Sequence, residues 1–407
     1  MVIFMKLMLI FLNGALTSPS YHLNDITLEK VKDENIRYPI ILIHGIGGTQ
    51  VLCQPTGKQL HTKPFSIWIN LLYFLLPEKL LSYMGLIYDP KTKQTRDRGL
   101  CNVEFPGWGD TWASEYLSED KYLFTSYMKL IVQSLTNDKF FVRNKTLRAA
   151  PYDFRKAPNE NSKYFIKLKQ LIEETYENGA KRPIYLLGHS LGSLYSMYFL
   201  KQQDKSWKYK YIKGFISVSA PFGGSVESLY AETCGHNLGI PFRSPLAFRD
   251  IQRSFPAMAF LLPDPRVWPS NEKLIITPNK NYSAHDLKAL FDDISFPQAY
   301  AIMNETKSVF DPYERPTDID VYCIYSINIP TISQMIFKTP GPYRSAFPNQ
   351  IPTLKYGDGD GTVPLKSLSV CNKWDYVNLA VLEQTSHEDI VQDDRFLKYL
   401  MKLLVID

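Results

Sequence analysis

The stretch IYLLGHSLGSLYSMYFL, residues 184 to 200, constrains this chain more than any other. Four strand-forming residues, Ile184 to Leu187, run into Gly-His-Ser-Leu-Gly and then into a helix-like segment. A chain that turns sharply at Gly188 and Gly192 holds Ser190 at the apex with its hydroxyl exposed, the arrangement called a nucleophile elbow. The two glycines have a steric task, because strand and helix backbones pass closely there and side chains would collide. Gly-x-Ser-x-Gly alone is a weak pattern; the strand before it and the helix after it give it meaning.

A serine nucleophile needs a base to take its proton, an acid to hold that base, and donors for an oxyanion. In α/β-hydrolases the order along the chain is Ser, then Asp or Glu, then His. Of the seven histidines, His22, His44, His61 and His189 come too early, which leaves His236, His285 and His387. Only His387 also follows a strong acid candidate, in YGDGDGTVPLKS (356 to 367), where three glycines expose the carboxylates of Asp358 and Asp360 in a tight turn. An EF-hand calcium loop fails there, since its sixth position would be Val363 and its twelfth Ser369. YVNLAVLEQTSHEDIV then presents a strand ending in the loop that carries His387. Early in the chain, YPIILIHGIGGTQ (38 to 50) supplies an apolar strand ending in glycines that free the backbone to point N–H groups at a developing O⁻. The expected donors are the main-chain N–H groups of Ile46 and of Leu191. The expected fold is therefore α/β, of the α/β-hydrolase type.

Composition sets the bounds. A chain of 407 residues, 45% apolar and 21% charged, buries a large core. The formal charge of +5 comes without a Lys/Arg block, so nucleic acid is not an expected partner. MVIFMKLMLIFLNGALTS (1 to 18) reads as a signal peptide, and no later stretch is long enough to span a bilayer. Sequons at Asn144, Asn281 and Asn304 fit glycosylation on that route, to a lysosome or to the outside. Five cysteines are too sparse for a zinc site; an oxidising compartment allows two disulfides and one leftover thiol. The preferred pairs are Cys323 with Cys371 and Cys53 with Cys101, though Cys234 leaves the second choice open. Each closes a loop for which chain entropy gives roughly 4 kcal/mol.

Read together, FSIWINL (65 to 71), FPGWGDTWASEYL (105 to 117), APYDFRKAPNENSKYF (150 to 165), the elbow, SAPFGGS (219 to 225), RSFPAMAFLLP (253 to 263) and GDGDGTVPLKS resemble the lecithin:cholesterol acyltransferase family, and within it the lysosomal phospholipase A/acyltransferase branch. The resemblance runs from about Tyr38 to the end and is weakest at 53 to 64 and at 330 to 350. It implies Ser190 as nucleophile, Asp360 rather than Asp358 as acid, and His387 as base. Cys323 and Cys371 fall on a disulfide of the family. Two departures stand out. The family's first disulfide ring brackets the FSIWINL region closely, whereas here no cysteine lies between Cys53 and Cys101. The lysosomal branch also has an aspartate where this chain has Ile46, a departure that bears on an acidic pH optimum.

FSIWINLLYFLLP (65 to 77) is apolar nearly all round a helix and too short to cross a bilayer. The resemblance implies that it belongs to a membrane-binding subdomain, with some of Trp68, Leu71, Leu72, Phe74 and Leu75 dipping into lipid; a core helix is the alternative. The expected organisation is a signal peptide (1–18), a hydrolase core beginning at 19–52, the membrane-binding subdomain (53–110), core with the elbow (111–225), a cap with a lid near 229 to 252 (226–318), and core carrying acid and base (319–407). The expected reaction is cleavage of a glycerophospholipid acyl ester through an acyl-enzyme on Ser190, released to water or to a lipid alcohol. Its partners are a phospholipid membrane or lipoprotein surface and the acceptor alcohol. The chemistry requires no metal or organic cofactor. A neutral-lipid esterase or lipase uses the same triad on a different groove, a protein thioesterase leaves the membrane segment unexplained, and a catalytically silent lipid-binding protein has no chemical need for all three residues.

Overall fold

The computed structural model describes residues 36–56, 63–240, 243–307, 310–342 and 345–406. The expected signal peptide, 1–18, lies outside the described residues. Six strands form the central sheet: β1 (Ile40–Ile43), β2 (Leu147–Ala149), β3 (Ile184–His189), β4 (Ile212–Val218), β5 (Asp320–Ile327) and β6 (Val377–Glu383). Their order across the sheet is β6-β5-β4-β3-β1-β2, and every neighbouring pair is parallel. A parallel sheet is covered on both faces, so its strands read as continuous apolar runs; β1 and β3 are buried at every position.

The covering helices follow from their apolar spacing. Helix α1 (Ser162–Asn178) buries Tyr164, Phe165, Leu168, Leu171, Ile172 and Thr175, one stripe at three- and four-residue intervals, and stops at Gly179. Helix α2 (Leu191–Lys201) follows the elbow and is buried over most of its length. Helix α3 (Val226–Cys234), capped by the Ser225 hydroxyl, which accepts from the Glu227 N–H, packs not on the sheet but in a second apolar cluster. Near the C-terminus, α4 (Asp394–Leu404) buries Phe396, Leu397, Leu400, Leu403 and Leu404 and is capped by Asp393.

Two insertions stand on this core. The first is closed by a disulfide between Cys53 and Cys101. It carries an antiparallel sheet of Phe65–Trp68, Val51–Pro55 and Cys101–Glu104, in that order. The expected helix over 65 to 77 is therefore replaced by a strand, Phe65–Trp68, and two short helices, Leu71–Leu75 and Pro77–Met84. Asn70 stops the strand by capping the first helix, accepting from the Leu72 N–H at 3.0 Å, and Pro77 opens the second. The second insertion has its own apolar cluster around Trp268, Leu290, Phe291 and Met335. Its four-stranded sheet takes Ile275–Ile276 and Asn281–Tyr282 from before residue 318, but Thr331–Ile336 and Thr353–Gly357 from beyond it. The cap thus does not end where the reading placed it: after β5 the chain leaves the core again before returning with the acid. A second disulfide joins Cys323 to Cys371, and Cys234 is free and buried. No helix among the described residues is long and apolar enough to cross a membrane.

Candidate active site

Ser190 sits at φ 54° and ψ −126°, in backbone space that costs a non-glycine residue roughly 1–3 kcal/mol. The turn is held by its own N–H, which donates to the Val218 carbonyl at 2.8 Å, and by the Ser193 N–H, which donates to the Ser190 carbonyl. The flanking glycines do the expected steric work. A Cβ on Gly188 would lie 2.6 Å from the Ser193 Cα, and one on Gly192 would lie 2.3 Å from the Ile43 carbonyl oxygen. Sheet, elbow and helix can approach this closely only without side chains at both positions.

Asp360 and His387 come together from the loops after Thr353–Gly357 and after β6. The Asp360 Oδ2 lies 2.7 Å from the His387 Nδ1, and its other oxygen accepts the N–H groups of Thr362 and Val363 at 3.1 and 2.8 Å. The His387 N–H donates to the Asp360 carbonyl at 2.8 Å, so the pair is joined through backbone as well as side chains. Burial alone would depress the imidazole, but the charge and hydrogen bond of the Asp360 carboxylate outweigh it and hold it above the usual histidine range. With Nδ1–H donating to the carboxylate, Nε2 is left to accept a proton. Asp358 has no part in this: it is exposed and accepts the Asn328 N–H.

Ser190 and His387 line one cavity with Gly45, Ile46, Gly47 and Gly48, and its apolar wall comes from the cap through Ala231, Leu238, Ile240, Phe248, Ile251 and Met258. Leu191 opens α2, where the first N–H groups of a helix lack intrahelical acceptors. The loop bearing Ile46 is braced from several sides. His44 Nδ1–H donates to the Gly45 carbonyl at 2.7 Å while its Nε2 accepts the Tyr152 N–H at 3.2 Å. The Tyr152 hydroxyl donates to the His44 carbonyl, and the two rings stack at 4.4 Å. Burial lowers His44 to about 4, so it stays neutral. The motif APYDFR is thereby explained in part: Tyr152 supports the glycine loop, while Arg155 fastens the first insertion to the core.

Trp68 is a correction. It was expected in lipid, yet its half-buried indole N–H donates to the Gly47 carbonyl at 2.8 Å and its ring lines the cavity. Leu72 and Leu75, by contrast, are 57% and 44% exposed. The side chains of Leu71 and Phe74 lie outside the described residues. The remaining late histidines go elsewhere: His285 donates to the Trp268 carbonyl, and His236 lines the cavity 3.8 Å from Glu227. Burial lowers His236 to about 4 and pushes the Glu227 carboxyl up to about 7. Asn144, Asn281 and Asn304 are all exposed. Among the described residues no cluster of three His, Cys, Asp or Glu side chains is arranged to hold a metal ion. The sequence reading passed over Tyr127, Tyr152 and Arg155 as individual residues; for the last two, the specificity of APYDFR was the available signal.

A family model described as lecithin:cholesterol acyltransferase matches residues 65–313 and 301–401. The lysosomal phospholipase A and acyltransferase of Homo sapiens is 33% identical over 384 residues, which cover 90% of this chain and 90% of that protein. The phosphatidylcholine-sterol acyltransferase of Mus musculus is 32% identical over 394 residues, 93% of this chain and 88% of that one. The Gallus gallus protein of the same name is 35% identical over 312 residues, 76% and 73% of the two chains.

Proposed function

Because the chain belongs to the lecithin:cholesterol acyltransferase family, we infer that it is a serine hydrolase and acyltransferase that cleaves the acyl ester of a glycerophospholipid. The observation that carries the mechanism is the buried Asp360–His387 pair, 2.7 Å apart, opening on the same cavity as the strained Ser190 turn. His387 Nε2 takes the Ser190 proton as Oγ attacks the ester carbonyl, and the N–H groups of Ile46 and Leu191 receive the oxyanion. The tetrahedral intermediate collapses, His387 protonates the departing lysophospholipid oxygen, and the acyl group stays on Ser190. Water or a lipid alcohol, deprotonated by the same imidazole, then takes the acyl group and restores the serine. Asp360 holds the tautomer and balances the imidazolium.

A phospholipid must leave its bilayer or lipoprotein surface to reach this cavity. Leu72 and Leu75, exposed on the short helix of the first insertion, are the residues we assign to that surface. Two disulfides fit an oxidising compartment, and with the name of the lysosomal relatives they support a secretory route to the lysosome or to the outside.

The test is to incubate purified protein with phospholipid liposomes containing a lipid alcohol, across an acid-to-neutral pH series, and to quantify fatty acid, lysophospholipid and acylated alcohol. All three products are expected from wild type and none from Ser190→Ala. Turnover by Ser190→Ala, or none by wild type with liposome binding intact, refutes the reading.

A further inference from the structure

His189 precedes the nucleophile, is buried, and has no part in the mechanism above. Its two nitrogens are nevertheless both engaged. Nε2 lies 2.8 Å from the His387 carbonyl oxygen, and Nδ1 lies 2.6 Å from the Tyr127 hydroxyl. A carbonyl oxygen only accepts, so Nε2 carries a proton. Burial, with the neighbouring His387 adding to it, holds His189 well below the usual histidine range, so the ring is neutral and Nδ1 accepts. Tyr127 must therefore donate to Nδ1. Its oxygen in turn accepts the Gly45 N–H, 3.0 Å away. Burial raises the Tyr127 phenol, which keeps its proton.

We propose that Tyr127 and His189 are positioning residues: a buried hydrogen-bond relay, Gly45 N–H to Tyr127 to His189 to the His387 carbonyl, that fixes the oxyanion loop against the main chain of the base. One end is the residue just before Ile46, and the other is the backbone from which the His387 imidazole projects. Acyl transfer needs both partners placed to within about 0.5 Å of the ester carbon. The elbow alone cannot secure this, because the glycine loop follows β1 and His387 follows β6, strands separated in the sheet by three others. The relay crosses that gap with every proton accounted for. The ends it anchors are both backbone, so substitutions of the Ile46 or His387 side chains leave it in place.

The proposal rests on the catalytic reading given above, and the experiment separates the two. Tyr127→Phe keeps the ring and removes the hydroxyl, leaving the Gly45 N–H without an acceptor and His189 Nδ1 without a donor. On a soluble p-nitrophenyl ester, kcat is expected to fall roughly 10- to 100-fold, short of the loss from deleting a direct oxyanion donor, with KM changed by less than about twofold. His189→Asn is expected to do the same, and the double variant to be no worse than the worse single, because the relay acts as a unit. Phosphonylation of Ser190 by an organophosphonate should slow in parallel with kcat. If Tyr127→Phe does not fold, His189→Leu, which removes both the donor toward the His387 carbonyl and the acceptor for the Tyr127 hydroxyl, carries the same test. A Tyr127→Phe enzyme with unchanged kcat, or additive losses in the double variant with KM rising alongside, overturns the relay. Residual turnover in Ser190→Ala overturns instead the catalytic reading beneath it.

Discussion

Replacing Arg155 by methionine should destabilise the protein by about 3–5 kcal/mol, the range found when one partner of a buried ion pair is removed. The figure follows from what the guanidinium touches. It is 1% exposed, forks onto both oxygens of Asp153 at 2.8 Å, and reaches Asp97 at 2.8 Å and the Met84 carbonyl at 3.0 Å. Asp153 belongs to the core segment after β2, whereas Met84 and Asp97 belong to the first insertion, so one side chain spans the joint. Methionine fills much of the volume but strands the Asp153 carboxylate, 15% exposed, without its counter-charge. Arg155→Lys restores a charge but not the fork, and should recover about half of the loss. The assay is urea unfolding followed by tryptophan fluorescence, with active enzyme counted by phosphonate titration of Ser190. If the methionine variant loses less than about 1 kcal/mol, or lysine restores full stability, Arg155 is not the fastening described here.

Gly192→Ala should cost roughly 1–3 kcal/mol and depress kcat more than stability, because the new methyl meets the Ile43 and His44 carbonyl oxygens at 2.3 and 2.4 Å and neither backbone group can swing aside; wild-type kcat in a folded variant would refute it. His387 must be neutral to act as base, and Asp360 raises its pKa, so kcat/KM for a soluble ester should fall as pH drops through that raised value. In Asp360→Asn the whole rate should fall roughly 10³- to 10⁴-fold, and the acid limb of the profile should move to lower pH; a limb that stays in place refutes the assignment. Leu72→Ser with Leu75→Ser should weaken liposome co-sedimentation roughly tenfold or more and leave soluble-ester hydrolysis unchanged, since both side chains are exposed; equal loss of both activities would place them in the core instead.

The elbow and the order of acid and base were legible because their constraints are local. Gly188 and Gly192 answer a collision within a few residues, and the apolar runs of a doubly covered parallel sheet need no partner to be recognised. The segment 65 to 77 misled for the opposite reason. A short run of apolar residues has no period that separates strand from helix, and the strand at Phe65–Trp68 depends on Cys53 and Leu52 across the sheet. Trp68 looked like a lipid anchor because an exposed apolar stretch and a buried one are written in the same letters. Its true neighbour, Gly47, lies 21 positions away. Tyr127 was beyond reach altogether: nothing in SYMKL marks a hydroxyl whose partner is 62 residues on. The cap's boundary was missed because Thr331–Ile336 pairs with Ile275–Ile276, a strand laid down before β5, and Thr353–Gly357 then adds to its other edge, a choice made in space after the chain has already passed through the core.

Both disulfides span 48 residues and hold their ends close, at Cα separations of 5.1 and 6.5 Å. To the rest of the polymer, each ring is therefore a side loop on a shorter chain. What lies inside a closed ring can grow, shrink or change composition while the closure cost of the remaining chain stays the same. The first ring contains the exposed Leu72 and Leu75, and the second contains two strands of the cap sheet together with Asp360. Length changes around Leu72 and Leu75 thus leave the closure of the six-stranded sheet untouched, and a graft cut at Cys53 and Cys101 can exchange that exposed helix provided it keeps the Met84 carbonyl and the Asp97 carboxylate that Arg155 holds.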